Sequence, residues 1–485
     1  MTASGPVTPD EAESQSKAQP HGCHGRKPGK SGFWSGVASR VERFFVAHRD
    51  RLRYLHFAMF GGFLAIIVVP LFLPAPTGKT SPLSDYVSFA NYALWGLWFP
   101  LVFLSVIFTG RSWCGVLCPM GAAAEWANGV GPKRAIPRWL RWEGAPVVSF
   151  LIITILGQTL GVRDHASGAA ELFGGTMGVA VLTGFLYGRR KRAWCRHACP
   201  IGLLLGVFSR LGAVDFKPRN LLPGGEGYSE RGACPTMIDL PRKTETRHCI
   251  ECFRCVNPQA KGGIHLDLRR PGYEVENIRE HHANAVEVWF LFLATGIALG
   301  GFLWLVLPQY DLLRQMAGEW AIDNDWLWLG QPGPSWLVSN HPDEREVFLW
   351  LDFVMITGFM LACSAAMAAL LGALTSLSSK LAHLMGGDSG FRQGFTELGY
   401  QYAPVALVSL VVGLGAKLFE PLGDTAGHVI KGGMFLLGLI WSIWLGDRIL
   451  ARQGISFKRR WLPLLPGLLG SVAVGIAWAP AIFGL

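Results

Sequence analysis

An all-α polytopic membrane protein of about nine transmembrane helices, with a small cysteine-rich insertion, is the fold class this sequence predicts. Three observations predict it. Half of the 485 residues are hydrophobic and only 16% are charged, against roughly 25% charged in a soluble domain. Apolar runs recur along the chain. The stretches RSWCGVLCPMG (111–121) and RAWCRHACPIG (192–202) each close such a run and repeat Trp, Cys, Cys, Pro and Gly in one register, which marks an internal duplication.

A spanning helix needs about twenty predominantly apolar residues. Runs of that kind fall at 56–74, 91–109, 144–161, 172–188, 285–307, 347–371, 398–416, 429–449 and 462–484. Glycine, proline and polar residues interrupt the fourth and the seventh. Ahead of them, residues 1–50 read as a disordered, basic cytoplasmic tail. Its first 34 residues are rich in Ser, Pro, Gly and charge and lack the apolar core of a secretory signal. Three further segments follow: a four-helix membrane unit at 51–214 with both CxxxCP repeats, a cysteine-rich segment at 215–284, and a five-helix membrane unit at 285–485 with no legible role.

Lysine and arginine near helix ends set orientation. Arg40, Arg43, Arg49, Arg51 and Arg53 precede the first run, and Arg111, Lys133, Arg134, Arg138 and Arg141 follow the second. GRRKRAWCR follows the fourth and GDRILARQGISFKRR the eighth, while the alternate loops hold few basic residues. This predicts a bacterial cytoplasmic membrane protein with its N-terminus inside and its C-terminus outside.

Eight of the ten cysteines then fall in the cytoplasmic loops: Cys114, Cys118, Cys195, Cys199, Cys234, Cys249, Cys252 and Cys255. The cytoplasm keeps thiols reduced, so metal explains them better than disulfides. HCIECFRC at 248–255 has the spacing with which bacterial ferredoxins wrap three thiolates around one iron–sulfur cubane. The fourth cysteine expected after it is replaced by Gln259, and the upstream pair Cys234–Pro235 offers the missing thiolate. A four-cysteine zinc site is the rival reading. The two CxxxCP repeats offer four more thiolates, which together would hold one cubane bridging the halves. Each proline can begin a short helix whose N-terminus faces the anion. Two 4Fe-4S clusters are therefore expected, and the cysteine-rich segment reads as a cytoplasmic ferredoxin-like iron–sulfur insertion. The other reading of the repeats is two independent cysteine pairs, redox-active or merely packed.

CxxxCP repeats after paired helices, joined to a ferredoxin-like cysteine run, resemble the NapH/NosR-type membrane iron–sulfur proteins and the related CcoG type. The resemblance covers roughly residues 50–285 and lacks that family's second ferredoxin run. Carried onto this chain, it matches Cys114, Cys118, Cys195, Cys199, Cys249, Cys252 and Cys255, with Cys234 fitting as the remaining ligand. It implies electron transfer in the membrane between the quinol pool and a respiratory or periplasmic redox partner, with quinone as substrate of an oxidoreductase component. Two alternatives stand beside it: an accessory or assembly protein with structural or sensing clusters, and a copper reductase. No nucleic-acid partner is expected.

Other features are weaker. His21, Cys23 and His24 in HGCHG have no hydrophobic neighbours, and chance explains them. Cys363 reads as a small helix-packing residue. His56, His383 and His428 lie at span edges or in a loop, unsuited to axial haem ligation. The 308–346 loop carries Trp320, Trp326, Trp328 and Trp336 among acidic residues, an interfacial aromatic belt beside a solvated face.

Overall fold

The computed structural model describes residues 33–74, 81–188, 191–218, 233–257, 263–342 and 346–483. His21, Cys23, His24 and Gln259 lie outside them. Among the described residues eight helices are long and apolar enough to cross a membrane: Ser35–Phe72, Tyr86–Thr109, Ala166–Leu186, Ala285–Val306, Trp350–Leu384, Phe391–Leu414, Asp424–Arg452 and Phe457–Phe483. The protein is a multi-pass, all-α membrane protein.

The predicted run at 144–161 becomes Ala145–Thr159, a helix of 15 residues. At 1.5 Å per residue it is about 22 Å long. Both of its ends are tied down. Glu143 accepts a hydrogen bond from Asn284 (3.0 Å) just before the 285–306 helix, and Thr159 donates to the Leu337 carbonyl (2.8 Å) well beyond that helix. The short helix is therefore tied at both ends beside its longer neighbour, and among the described residues it is a shorter apolar helix next to the eight long ones.

The interrupted seventh run is the most enclosed helix of the bundle. It breaks at a 3-10 turn, Tyr400–Tyr402, where Tyr400, Gln401 and Tyr402 are all buried. Its polar residues lowered its hydropathy because they face protein instead of lipid. Cys363 packs as expected. A side chain at Gly296 or Gly300 would strike the 360–364 backbone or the Cys363 side chain, so this small-xxx-small pair lets the 285–306 and 350–384 helices touch. In the 308–346 region, Pro308–Asp323 is helical. It exposes Leu312, Leu313, Met316 and Trp320, the pattern of a helix lying in the membrane interface.

The cysteine-rich segment folds on a two-stranded antiparallel sheet that pairs Val214 with Leu268 and Phe216 with Leu266. The tail differs from expectation: Phe33–His48 is a helix packed on this segment. Glu42 accepts from the Leu266 N–H (2.9 Å), and the Phe45 ring stacks on Phe253 at 4.2 Å. An amphipathic helix gains its stability from a partner face, and here the partner lies more than two hundred residues downstream.

Candidate metal centre

Each repeat is built as the same turn. The Cys118 N–H bonds the Trp113 carbonyl and the Cys199 N–H bonds the Trp194 carbonyl, both at 2.9 Å. Cys118 (φ −68°, ψ 114°) and Cys199 (φ −64°, ψ 119°) then cap the helices Pro119–Val130 and Pro200–Ser209. Proline at the first helical position gives up no needed N–H. Free N–H groups of the first turn are left for an acceptor, and the Gly121 N–H already points at Cys118 Sγ (3.4 Å). A π-helical turn, Trp113–Leu117, places Cys114 on the same side as its partner.

The four repeat thiols face one another: Cys199 is surrounded by Cys195, Cys118 and Cys114. Cys255 likewise faces Cys249, Cys252 and Cys234. The structure thus brings the eight thiols together as two sets of four. The first contains both repeats, and the second joins Cys234 to the ferredoxin-like run. Cys234 arrives there through backbone contacts, because the Arg192 N–H bonds the Pro235 carbonyl (2.8 Å) and Lys191 Nζ bonds the Cys234 carbonyl (2.7 Å).

Within HCIECFRC, Glu251 (φ 52°) and Phe253 (φ 58°) occupy the left-handed region, at a cost of roughly 1–2 kcal/mol each. Those turns curl the chain so that the Glu251 N–H points at the Cys249 sulfur and the Arg254 N–H at the Cys252 sulfur. The two sets abut. A Cβ at Gly115, inside the first repeat, would lie 2.0 Å from the Ile250 carbonyl and 2.9 Å from the Cys252 nitrogen, so only glycine admits this contact.

Arg111 and Arg192, each three residues before the first cysteine of its repeat, complete the site. Both are fully buried. Arg111 donates to the Arg247 carbonyl (2.5 Å) and its guanidinium faces Cys114, Cys199 and Cys195. Arg192 donates to Glu125 (2.7 Å) and to the Cys114 carbonyl (2.8 Å), and it faces Cys195 and Cys252, one thiol of each set. Glu125 also pairs with Arg254, which ties the two sets further. Arg111 Nε and Nη2, Arg192 Nη2 and Trp194 Nε1 find no acceptor. Leaving buried cationic donors unsatisfied is expensive. An anionic iron–sulfur cluster, whose sulfides and thiolates all accept hydrogen bonds, satisfies them, so the residues present fit such a group. The repeated register of these arginines was legible in RSWC and RAWC.

Burial pushes the Cys195 and Cys249 thiols up to about 12. Ligation must therefore displace protons. Among the described residues no three His, Cys, Asp or Glu side chains are placed to hold a single metal ion. A cubane takes one thiolate at each of four irons, so its ligands need not converge on one point.

A family model described as a 4Fe-4S binding domain matches residues 93–137 and 172–219, one repeat in each. The chain is related to the NapH-type membrane iron–sulfur proteins. It is 27% identical to the protein NirI of Paracoccus denitrificans over 248 residues, 45% of this chain and 36% of NirI. The ferredoxin-type protein NapH of Haemophilus influenzae is 23% identical over 41% of this chain and 75% of its own length. The putative electron transport protein YccM of Escherichia coli is 24% identical over 42% of this chain and 65% of its own. The chain thus spans less than two thirds of NirI and of YccM. No solved structure matches it. The relatives carry the names of ferredoxin-type and electron-transport proteins, and on this chain the 4Fe-4S model falls on the two cysteine repeats.

Proposed function

We propose that the chain holds two 4Fe-4S clusters, one on Cys114, Cys118, Cys195 and Cys199 and one on Cys234, Cys249, Cys252 and Cys255. In this reading it takes electrons from the quinol pool and delivers them to a redox partner protein. One observation carries the quinol side. A cavity of about 200 Å³ reaches all four repeat cysteines and also Gln158, in the last turn of the short helix, and Arg163, just past it.

Trp95, Trp98, Phe99 and Phe173 wall it, an apolar space with few polar groups, as ligand sites commonly are. The Arg163 guanidinium sits against the rings of Phe302 (4.5 Å) and Trp95 (5.4 Å), where burial lowers its pKa to about 10. It stays charged at neutral pH and can donate to a quinol oxygen. Gln158 is held from behind by Trp304 Nε1 (3.3 Å). The aromatic walls exclude water, and Arg111 and Arg192 favour negative charge at the thiol end. When bound, a 4Fe-4S cluster supplies a one-electron carrier. Contact between the two thiol sets at Gly115 supports a short path from one to the other.

The chain as isolated without oxygen should carry about eight irons and eight sulfides. A short-chain quinol should bleach its visible absorption. Gly157 also lines the cavity, and Gly157→Trp should slow that bleaching while dithionite still reduces the clusters. Quinol reduction of the variant at the wild-type rate would sink the quinol reading, and a stable content near four irons would remove one cluster.

The thiol-bearing face also carries the basic stretches around Arg49 and Arg138, which supports a cytoplasmic placement in a bacterial inner membrane with the C-terminus outside. A membrane-impermeant thiol reagent should label cluster-stripped cysteines in inverted vesicles and spare them in spheroplasts. Labelling of spheroplasts would invert the topology.

A further inference from the structure

A second cluster of titratable side chains lies at the end of the quinol cavity away from the thiols, where the 166–186 helix begins. After the cavity residue Gln158 the chain turns tightly, and the Asp164 and His165 N–H groups both bond the Gly161 carbonyl (3.0 and 2.9 Å). Gly161 has φ +60°, and a Cβ there would lie 3.0 Å from the His165 ring, 3.1 Å from Ser339 Oγ and 3.4 Å from Glu346 Oε1. Three side chains from two distant segments therefore converge on one turn whose other residues, Val162 and Arg163, line the cavity.

His165 Nε2 pairs with Glu346 Oε2 at 3.0 Å, with the imidazole 6% exposed and the carboxylate 35%. The His341 ring stacks on His165 at 3.9 Å, and its Nε2 lies 3.3 Å from Ser167 Oγ. The array leads from a buried imidazole to a partly solvated carboxylate. The charged and titratable groups around it are Arg163 and Asp164 of the same turn, His341, Glu346, and Lys417, which reaches the turn through Asn91.

We infer that His165 and Glu346 form the proton outlet of the cavity, with His341 beside them, on the face opposite the thiols. This rests on the quinol reading. Oxidation of a quinol to a quinone breaks two O–H bonds and releases two protons and two electrons. The electrons leave singly toward the thiol end, where Cys114, Cys118, Cys195 and Cys199 would hold the one-electron acceptor. Each proton bonds to the His165 imidazole, passes to the Glu346 carboxylate and leaves to solvent there. Glu346 is suited to the last step. Burial opposes its ionisation, but hydrogen bonds from Ser339 and His165 prevail and hold its carboxyl below the ordinary value. It therefore gives up protons readily at neutral pH. The outlet explains why a buried imidazole is stacked on a second one beside a carboxylate, a costly arrangement to retain for packing alone.

The test uses the full chain with its clusters in proteoliposomes, with His165→Asn and Glu346→Gln as variants and a water-soluble short-chain quinol as reductant. A redox-inert quinone analogue, read by tryptophan quenching, should bind wild type and both variants within about two-fold. Cluster reduction by quinol should fall by at least about ten-fold in each variant. Its dependence on the pH of the far-side solution should also flatten. Glu346→Gln, at a partly exposed position on a two-residue strand, guards against a folding defect in His165→Asn. Wild-type rates and pH dependence with normal analogue binding overturn the outlet alone. Failure of the analogue to bind wild type overturns the quinol reading and the outlet with it.

Discussion

Cys114→Ala and Cys195→Ala should each abolish the same paramagnetic signal, and the double variant should lose little more than either single one. Cys114 and Cys195 lie eighty-one residues apart, yet both face Cys118 and Cys199 in one buried set. Losing one of the four thiolates leaves one iron without its protein ligand, so each loss should damage the same centre, and effects on a shared site are strongly non-additive. The signal from the second set should survive. Cys234→Ala should do the converse, degrading the set of Cys249, Cys252 and Cys255 while leaving the repeat signal intact. Low-temperature resonance of dithionite-reduced membranes distinguishes the outcomes. Different signals lost from Cys114→Ala and Cys195→Ala, or losses that add, would mean separate centres in the two repeats.

The largest stability loss should come from Arg210→Met, about 3–5 kcal/mol, the cost of stripping a buried charge of its partner. Arg210 is fully buried and bonds Glu287 (2.8 Å), Glu274 (2.8 Å) and Glu245 (3.0 Å). Arg247 also pairs with Glu287 (2.7 Å), and the Tyr400 hydroxyl donates to it (2.6 Å). This network clamps the thiol-bearing half to the 285–485 unit. Removing Arg210 leaves Glu274 and Glu245 short of compensation inside protein. The exposed pair Lys217–Asp267 offers the contrast, since Lys217→Ala should cost no more than about 1 kcal/mol. Unfolding in mixed detergent micelles measures both, and equal losses would refute the clamp. The network should also set acid sensitivity. Burial opposes ionisation of Glu274, but Arg269 and Arg210 prevail and hold its carboxyl below the ordinary value. Its contribution is complete above the unfolded value of about 4.3 and is lost only as pH falls through the lower folded value.

Much of this was legible in the chain because it depends on local composition. Apolar runs located the long apolar helices and the shorter Ala145–Thr159, since backbone in lipid must satisfy its hydrogen bonds within its own helix. The repeated WCxxxCP turn was legible because identical local sequence makes identical local hydrogen bonds, here Cys118 to Trp113 and Cys199 to Trp194. The iron–sulfur character followed from thiolate spacing. Local reading went astray where a partner was remote. The segment ahead of residue 50 reads as polar and unstructured, but Phe45 and Glu42 find Phe253 and Leu266, and the partner makes the helix.

Only the tertiary structure showed what surrounds the eight thiols. The sequence offered Cys234 to the ferredoxin-like run on its Cys–Pro pair alone, and the structure adds the contacts that hold it there, with Lys191 and Arg192 bonding its backbone. Arg111 and Arg192 stood in plain register, yet a basic residue at a membrane boundary is ordinarily an orienting charge. Burial beside four thiols turned them into cluster-facing donors. The cavity and the His165–Glu346 pair join residues more than one hundred and eighty positions apart. A pattern read along the chain reports the solvent each segment prefers. Which distant segment supplies that environment is settled only by packing.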